Sequence, residues 1–310
     1  MNKKGRNVAA SVQEKLLQIS RNSKLSLQDL LERYCTERLL YRLSRSPYQS
    51  RFILKGAMLL IAWGEGSSER VTRDADLLGL GDNSPVAAAA TFREICNFKV
   101  EDDGVGFETD SVKAEEIRAE QEYVGVRVTL HARVGKARIP VQADIGFGDA
   151  FTMEAEEIEF PSLLEMPKPV LRAYTKETSL AEKFEAMVTL GERNSRMKDY
   201  FDVWLLARRF DFKGEILAKA IAVTFARRKT EIPSAVPVGL SPGFATDLTK
   251  QNQWKAFWRK AVRTEPIPDF KEVIEHAGEF LLPAAQVALT ATKWQGVWSK
   301  GGPWRLPKSR

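Results

Sequence analysis

A mixed α/β architecture, with a sheet at the centre and helical regions on both sides, is what these 310 residues predict. Three observations carry it. Two segments, 124–134 and 139–147, alternate apolar and polar residues as half-buried strands do. Apolar residues recur at helical spacing over 27–43, 180–188 and 198–207. Between the first helix and the alternating strands lies a short apolar run, 72–80, of the length and character of a buried strand.

The elements follow in order. Ser26-Leu27-Gln28-Asp29 supplies an N-cap and first turn for a helix whose apolar positions are Leu27, Leu30, Leu31, Tyr34, Cys35, Leu39, Leu40 and Leu43. Pro47 helps to end it. Phe52 to Trp63 is predominantly apolar and reads as a second helix or its lead-in, with Gly56 near its N-terminus. The strand Thr72 to Leu80 comes next, then a turn at Asp82-Asn83-Ser84-Pro85. A turn near Gly135-Lys136 joins the alternating strands. In the second of them Ile139, Val141, Ala143, Ile145 and Phe147 share one face, so Gln142 and Asp144 lie on the other. After Pro161, Pro167 and Pro169 the chain turns helical. Ser179-Leu180-Ala181-Glu182 fits a capping box, and Lys183 sits at the edge of the stripe Leu180, Phe184, Met187 and Val188. A further helix carries 198–207, with Asp199 and Asp202 as neighbours three residues apart. Residues 231–246, with Pro233, Pro237 and Pro242, read as a long loop before a helix around 254–260, and 300–310 as a mobile tail. These elements group into a helical N-terminal region (1–50), a core (51–160) and a mostly helical C-terminal domain with a basic tail (161–310).

A hydrophobic share of 44% is enough for a packed core. Every apolar segment is short and interrupted by charge, and the N-terminus leads into no apolar signal segment, so the sequence predicts a cytoplasmic protein without a membrane span. Only Cys35 and Cys96 occur, with two histidines, which argues against a disulfide framework or a zinc site. The net charge of +6 is segregated: residues 1–50 carry +6 and 208–310 carry +9, leaving −9 for 51–207. An acidic middle between basic flanks suits a carboxylate and metal site whose polyanionic substrate is gripped from outside, although solvated helix faces produce the same excess.

The chemistry concentrates in Arg70-Val71-Thr72-Arg73-Asp74-Ala75-Asp76-Leu77. Carboxylates at i and i+2 of an extended segment point to one side, roughly 6.5 to 7 Å apart, and can share a divalent metal. Attack by a hydroxyl on the α-phosphate of a nucleoside triphosphate (NTP) needs metal to neutralise the attacking and leaving oxygens, and two metals need at least three carboxylates. Asp74, Asp76 and the strand-borne Asp144 supply that number. Gly56 beside Lys55 lets phosphate approach backbone N–H groups. Arg70 and Arg73 are either nucleotide-binding cations or the partners of a charged turn. Lys183, partly desolvated at the border of its stripe, can hold a triphosphate as a point charge or can snorkel. Asp199 can orient or deprotonate an attacking hydroxyl, or sit as a helix-start carboxylate. Asp202 belongs with the nucleotide-binding residues or holds Lys198 or Arg196 in place. Trp254 and Trp258, interleaved with Lys255, Arg259 and Lys260, can stack on bases, but such a pair more often forms core.

Five motifs stand in order: Lys55-Gly56-Ala57-Met58-Leu59-Leu60; Arg70-x-Thr72-Arg73-Asp74-x-Asp76; Val141 through Asp144 to Gly148-Asp149; Glu177-Thr178-Ser179-x-Ala181-Glu182-Lys183; and Arg196-x-Lys198-Asp199-x-x-Asp202. With them the chain resembles the AbiEii/AbiGii family of nucleotidyltransferase toxins, which includes the mycobacterial MenT toxins, over about residues 35–260. The resemblance implies a polymerase-β-like nucleotidyltransferase fold, Mg²⁺ or Mn²⁺, and an NTP substrate. It also implies a cognate antitoxin and transfer of nucleotides to the 3′ end of tRNA, which blocks translation. Asp74 and Asp76 match the family's metal carboxylates, Lys183 its nucleotide-binding lysine and Asp199 its essential late aspartate. Gly56-Ala57 stands where the wider superfamily has Gly-Ser, which leaves backbone N–H groups and Lys55 to compensate for a hydroxyl. Two other readings compete: a non-catalytic nucleic-acid-binding protein of the same fold, and a nucleotidyltransferase acting on a protein or small molecule.

Overall fold

The structure, a computed structural model, describes residues 7–23, 25–64, 66, 70, 72–118, 124–147, 155–261 and 266–306. Val71, Gly148 and Asp149 of the motifs and residues 307–310 of the tail lie outside these. The chain forms two compact units, the first spanning Met1–Ala150 with Ala155–Ala173, the second running from Tyr174.

In the first unit, helix α1 (Val8–Asn22) is capped by the Asn7 side chain, and α2 (Leu27–Arg45) starts at the Ser26 cap that the sequence marks. Helix α2 is buried on nearly every side, charges included. Each buried charge therefore needs a partner. Arg42 makes a two-bond pair with Asp103 at 2.7 and 3.1 Å, and Glu37 accepts from Arg38, from the Ser162 hydroxyl and from the Leu163 N–H.

The sheet contains β1 (Phe52–Lys55), β2 (Ala75–Gly79), β3 (Gly106–Arg118), β4 (Val124–Val134), β5 (Ala137–Phe147), β6 (Ala155–Glu159) and β7 (Val170–Tyr174), with α3 (Met58–Trp63) after β1 and α4 (Pro85–Asn97) after β2. Among the described residues these seven strands lie in the order β3-β4-β5-β2-β1-β7-β6. The sheet is mixed: β2 runs parallel to β5 and β1 parallel to β7, while β1–β2, β4–β5 and β3–β4 are antiparallel. The α/β expectation holds.

Three local expectations change. The apolar run 52–63 splits into strand and helix, because Phe52–Lys55 hydrogen-bonds to β2 and Gly56, at φ +70°, breaks the chain direction before Met58. A short apolar run does not itself distinguish strand from buried helix. Strand β2 begins only at Ala75, so Thr72 and Arg73 precede it. The prolines at 161–169 lead into β7 before any helix. Strand β3 escapes a reading by alternation because it is charged, lies at the sheet edge and shifts register between Glu108 and Lys113.

The second unit is mostly helical: α5 (Lys176–Leu190), α6 (Met197–Arg209), α7 (Gly214–Arg227), α8 (Pro242–Thr246), α9 (Leu248–Ala261) and α10 (Phe270–Thr290). Helix α5 starts one turn before the predicted capping box. Thr175 is the cap, its hydroxyl accepting from the Thr178 N–H, and Ser179 is buried inside the helix. The loop over 231–246 is interrupted by a 3₁₀ turn and by α8. Trp254 and Trp258 are core residues, 1% and 4% exposed, packed with Phe201, Phe257 and Phe270, so they offer no face to a base. The predicted mobile tail is ordered through Leu306. After β8 (Phe212–Lys213), strands β9 (Val297–Trp298) and β10 (Trp304–Arg305) complete a small sheet, and the Trp304 indole packs on Phe280 and donates to its carbonyl at 3.0 Å. Burial of two tryptophans outweighs the Gly, Pro and Lys content of that segment.

Candidate active site

Strand register assembles the charged site of the first unit. Lys55 on β1 stands opposite Asp76 on β2, Asp76 beside Asp144 on β5, Asp144 opposite Arg127 on β4, and Arg127 opposite Glu115 on β3. Residues paired across neighbouring strands share a face, so these five form one transverse row of charge. None of their neighbours in sequence could announce this, because the row joins five separate strands.

Gly56 turns the chain directly beside the row. Its φ is positive, and a Cβ built there would overlap the Asp76 carboxylate. Glycine is thus required twice, for the backbone angle and for the space Asp76 occupies. Lys55 reaches across the sheet: its Nζ lies 3.5 Å from where a Cβ on Gly146 would stand. Ala57 caps α3 without a side-chain hydrogen bond, as the Gly-Ala departure implied.

Asp74 lies just before β2. Although the residue is exposed, partial removal of water from its carboxyl raises its pKa above the ordinary carboxylate range, and Asp144 and Asp76 push it further up against the pull of Arg127 and Arg73. The segment leading to it is clamped by α2. Arg73 pairs with Asp29 at 2.9 Å and Glu32 at 3.0 Å, and the Thr36 hydroxyl donates to the Arg73 carbonyl at 3.1 Å. Arg70 is buried. Arg73 thus ties the segment before Asp74 to α2, whose carboxylates answer its charge.

Asp144 is differently engaged. Arg127 donates to both its oxygens, Nε at 2.9 Å and Nη2 at 2.8 Å, and Gln142 adds a bond at 3.1 Å. Asp74 and Asp76 fit a divalent cation, since crowded carboxylates are relieved by one. Asp144, as it stands, is committed to Arg127. Among the described residues no three or more His, Cys, Asp or Glu are arranged as a metal-ligand set.

The second unit holds its own charged cluster. Lys183 on α5 pairs with Asp199 at 3.0 Å and Asp202 at 2.7 Å, both on α6, and Arg196 pairs with Asp199 at 2.8 Å. Asp199 and Asp202 expose 2% and 1% of their side chains, Lys183 15%. Burial alone would raise the Asp199 pKa, but Lys183 and Arg196 outweigh it and hold Asp199 below the ordinary range. Asp202 thus has Lys183 as a partner, which spacing on α6 did not point to.

A family model described as the nucleotidyl transferase AbiEii toxin of type IV toxin–antitoxin systems matches residues 38–276. The chain belongs to that family. It is a nucleotidyltransferase of the toxin–antitoxin class, and membership brings with it an NTP substrate and an antitoxin partner. Two solved structures are similar: JHP933 from Helicobacter pylori, 16% identical, covering 86% of this chain and 94% of that one at a TM-score of 0.49, and a candidate nucleotidyltransferase from H. pylori, 14% identical, covering 86% and 97% at 0.46. No curated protein matches the chain in sequence. No helix among the described residues is long and apolar enough to cross a membrane.

Sequence reasoning passed over Arg127, Asp29 and Glu32. Arg127 had one signal, its place on the polar face of the β4 alternation. Asp29 and Glu32 had none beyond their place near the start of α2.

Proposed function

We propose that this AbiEii toxin transfers nucleotides from an NTP to RNA, most specifically to the 3′ acceptor end of tRNA, in a reaction dependent on Mg²⁺ or Mn²⁺. The observation that carries the reading is the row of strand-borne carboxylates flanked by cations, with Gly56 opening space for Asp76. In the reaction the acceptor hydroxyl attacks the α-phosphorus and gives up its proton to solvent, the bond to the β-phosphate breaks, and pyrophosphate leaves with the electron pair. Asp74 and Asp76 would hold a divalent cation, which would supply neutralisation of the charge that develops on oxygen.

The remaining residues bind and orient. Lys55, beside Asp76, is placed to meet phosphate charge over the sheet, and Gly56 keeps the turn close to it. Lys183 offers a cation pre-oriented by Asp199 and Asp202. A lysine fixed by two buried carboxylates loses little freedom when it meets a triphosphate. Asp199 then acts through Lys183, as a positioning residue, in place of the proton-accepting role its sequence position suggested. The cognate antitoxin restrains the activity, and unrestrained modification of tRNA ends would stop aminoacylation.

The test is incubation of the full chain with labelled NTP, total tRNA and Mg²⁺. A labelled RNA that disappears with chelator and with Asp76→Asn is the expected result. Label on protein or on a small product, with none on RNA, overturns the acceptor assignment, and undiminished RNA labelling in chelator overturns the metal dependence.

A further inference from the structure

We infer that the first turns of α2 are a clamp that sets the position of Asp74, with Asp29, Glu32 and Thr36 as positioning residues and Arg73 as the arm they hold. The inference rests on the proposed place of Asp74 in the reaction. Asp29, Glu32, Arg33 and Thr36 stand at i, i+3, i+4 and i+7, so they form one stripe along the helix. A stripe at that spacing ordinarily buries apolar side chains. Here all four residues are polar, and all four are buried. Their partners lie on the chain that leads into β2. Asp29 and Glu32 pair with the Arg73 guanidinium at 2.9 and 3.0 Å, the Thr36 hydroxyl donates to the Arg73 carbonyl at 3.1 Å, and Arg33 donates to the Gly66 carbonyl at 2.6 Å. The whole stripe precedes residue 38, where the match to the family model begins.

Both carboxylates are prepared for the arm. The Ser26 hydroxyl donates to Oδ2 of Asp29 at 2.6 Å while Oδ1 meets Arg73, and the Gln28 amide donates to Oε1 of Glu32 at 2.7 Å while Oε2 meets Arg73. One oxygen of each acid is thus tied to the start of α2 and the other is turned to the guanidinium. Arg73 itself exposes 56% of its side chain, but its partners expose only 7% and 11%, so this is not a solvated surface pair. Withdrawing Arg73 takes a cation from two buried carboxylates at once. The bond to the Arg73 carbonyl acts closest to the site. A peptide unit is planar, so fixing that oxygen also fixes the nitrogen of Asp74. On the other side Ala75 is held by its register with Ala143 on β5. Asp74 therefore sits between a helix and a sheet, whereas Asp76 is placed by the sheet, opposite Lys55 and beside Asp144. Loosening the hold of α2 moves Asp74 relative to the sheet.

The test uses two measurements on the full chain. The first is amide hydrogen exchange without nucleotide, read by mass spectrometry. The peptide containing Asp74 should exchange on the order of tenfold faster in Arg73→Gln and in the double variant Asp29→Asn/Glu32→Gln, because local opening becomes easier, while peptides from β4 and β5 keep their rates. The second is the initial rate of transfer from labelled NTP to tRNA, which separates a clamp from a phosphate-binding cation. Both variants should lose about 10²-fold in kcat, the scale of a misplaced reacting group, with KM for NTP unchanged within about threefold. Combining all three substitutions should add little, since the residues serve one contact. Thr36→Val removes only a hydroxyl, should lower kcat by about tenfold, and serves if the charge variants do not retain their circular dichroism spectrum. Arg73→Lys keeps the charge with one nitrogen in place of two and should fall between Arg73→Gln and the unaltered chain. A raised KM with kcat kept in Arg73→Gln, not reproduced by Asp29→Asn/Glu32→Gln, makes Arg73 a cation for the NTP and overturns the inference. Normal kcat in both Asp29→Asn/Glu32→Gln and Thr36→Val overturns it too, as does unchanged exchange of the Asp74 peptide. If the unaltered chain labels no RNA, the acceptor reading has failed, and the exchange rates alone decide the clamp.

Discussion

Asp74 in the first unit and Asp199 in the second are both aspartates proposed to serve the reaction, yet the protein displaces them in opposite directions. Asp74 is partly stripped of water, stands beside Asp144 and Asp76, and is driven up; Asp199 is fully enclosed, answered by Lys183 and Arg196, and driven down. In the first unit carboxylates are crowded around an exposed Asp74. In the second, charge is buried and neutralised internally. The contrast separates two jobs that carboxylates perform. A crowded, half-solvated set stores repulsion that an incoming cation relieves, whereas a closed cluster fixes the geometry of one lysine and tolerates little change.

The largest expected effect breaks the first unit's carboxylate row. Asp76→Asn should lower nucleotide transfer by about 10³-fold, the scale of losing one preorganised charge at the reacting centre, with the melting temperature hardly changed. Transfer assays on tRNA and a calorimetric melt of the same preparation check both parts. Near-normal transfer would remove Asp76 from the proposed site.

The second unit's closed cluster should respond in stability. Lys183→Met leaves Asp202 and Asp199 without their shared cation at nearly full burial, and breaking a buried pair from one side costs roughly 3 kcal/mol or more. For a chain of this size that lowers the melting temperature by about 5 °C or more. NTP binding should weaken with it, and Asp202→Asn should weaken NTP binding as well, because the lysine loses its fixed position. The two losses in the double variant should fall short of additive. Because the Asp199 pKa is lowered on folding, its stabilisation is complete above the ordinary aspartate value and is lost as pH falls through the depressed one. The melting-temperature gap between Lys183→Met and the unaltered chain should therefore narrow in acid. A Lys183→Met chain that melts normally would show the cluster to be open like the first.

Gly56→Ala sharpens the comparison from the backbone side. A non-glycine residue at φ +70° costs on the order of 1 kcal/mol, and its Cβ must also displace the Asp76 carboxylate. Transfer should fall about 10²-fold while the melting temperature drops by only a few degrees, the mark of a side chain moved from its working position. A comparable loss of stability with intact transfer would reduce Gly56 to a turn residue.

How much of this was legible depended on how far apart in the chain the partners lie. Asp144 could be assigned to the polar face from the alternation of Ile139, Val141, Ala143 and Ile145 alone, and the structure keeps it there. Asp74 and Asp76 were legible as a pair because a single residue separates them. The row was not, since register between β1, β2, β5 and β4 is a property of the folded sheet. Lys183 with Asp202 escaped for the same reason, 19 residues apart on two helices whose packing sets the contact. The errors at Phe52–Lys55 and Ser179 have a different origin. Both are short patterns, four residues each, that a strand and a helix, or a cap and a helix interior, satisfy equally well until long-range pairing decides.

The smallest expected effect tests whether the first unit's carboxylates truly store repulsion. An aspartate whose pKa is raised on folding binds its proton more tightly in the folded chain, so stability falls as pH rises between the ordinary value and the raised one, and the cost is complete at neutral pH. Asp74→Asn deletes that cost. Because residue 74 is exposed, solvent screens most of it, and the gain in melting temperature at neutral pH should be no more than about 2 °C. In strong acid, where Asp74 is protonated in both states, the two chains should melt together. Mn²⁺ supplies the second reading: it should raise the melting temperature of the unaltered chain, whose carboxylates it relieves, and leave Asp74→Asn nearly where it was. Equal melting temperatures at neutral pH, or a lower one for Asp74→Asn, would mean that Arg127 and Arg73 already balance the carboxylates, and the distinction between Asp74 and Asp199 would rest on burial alone.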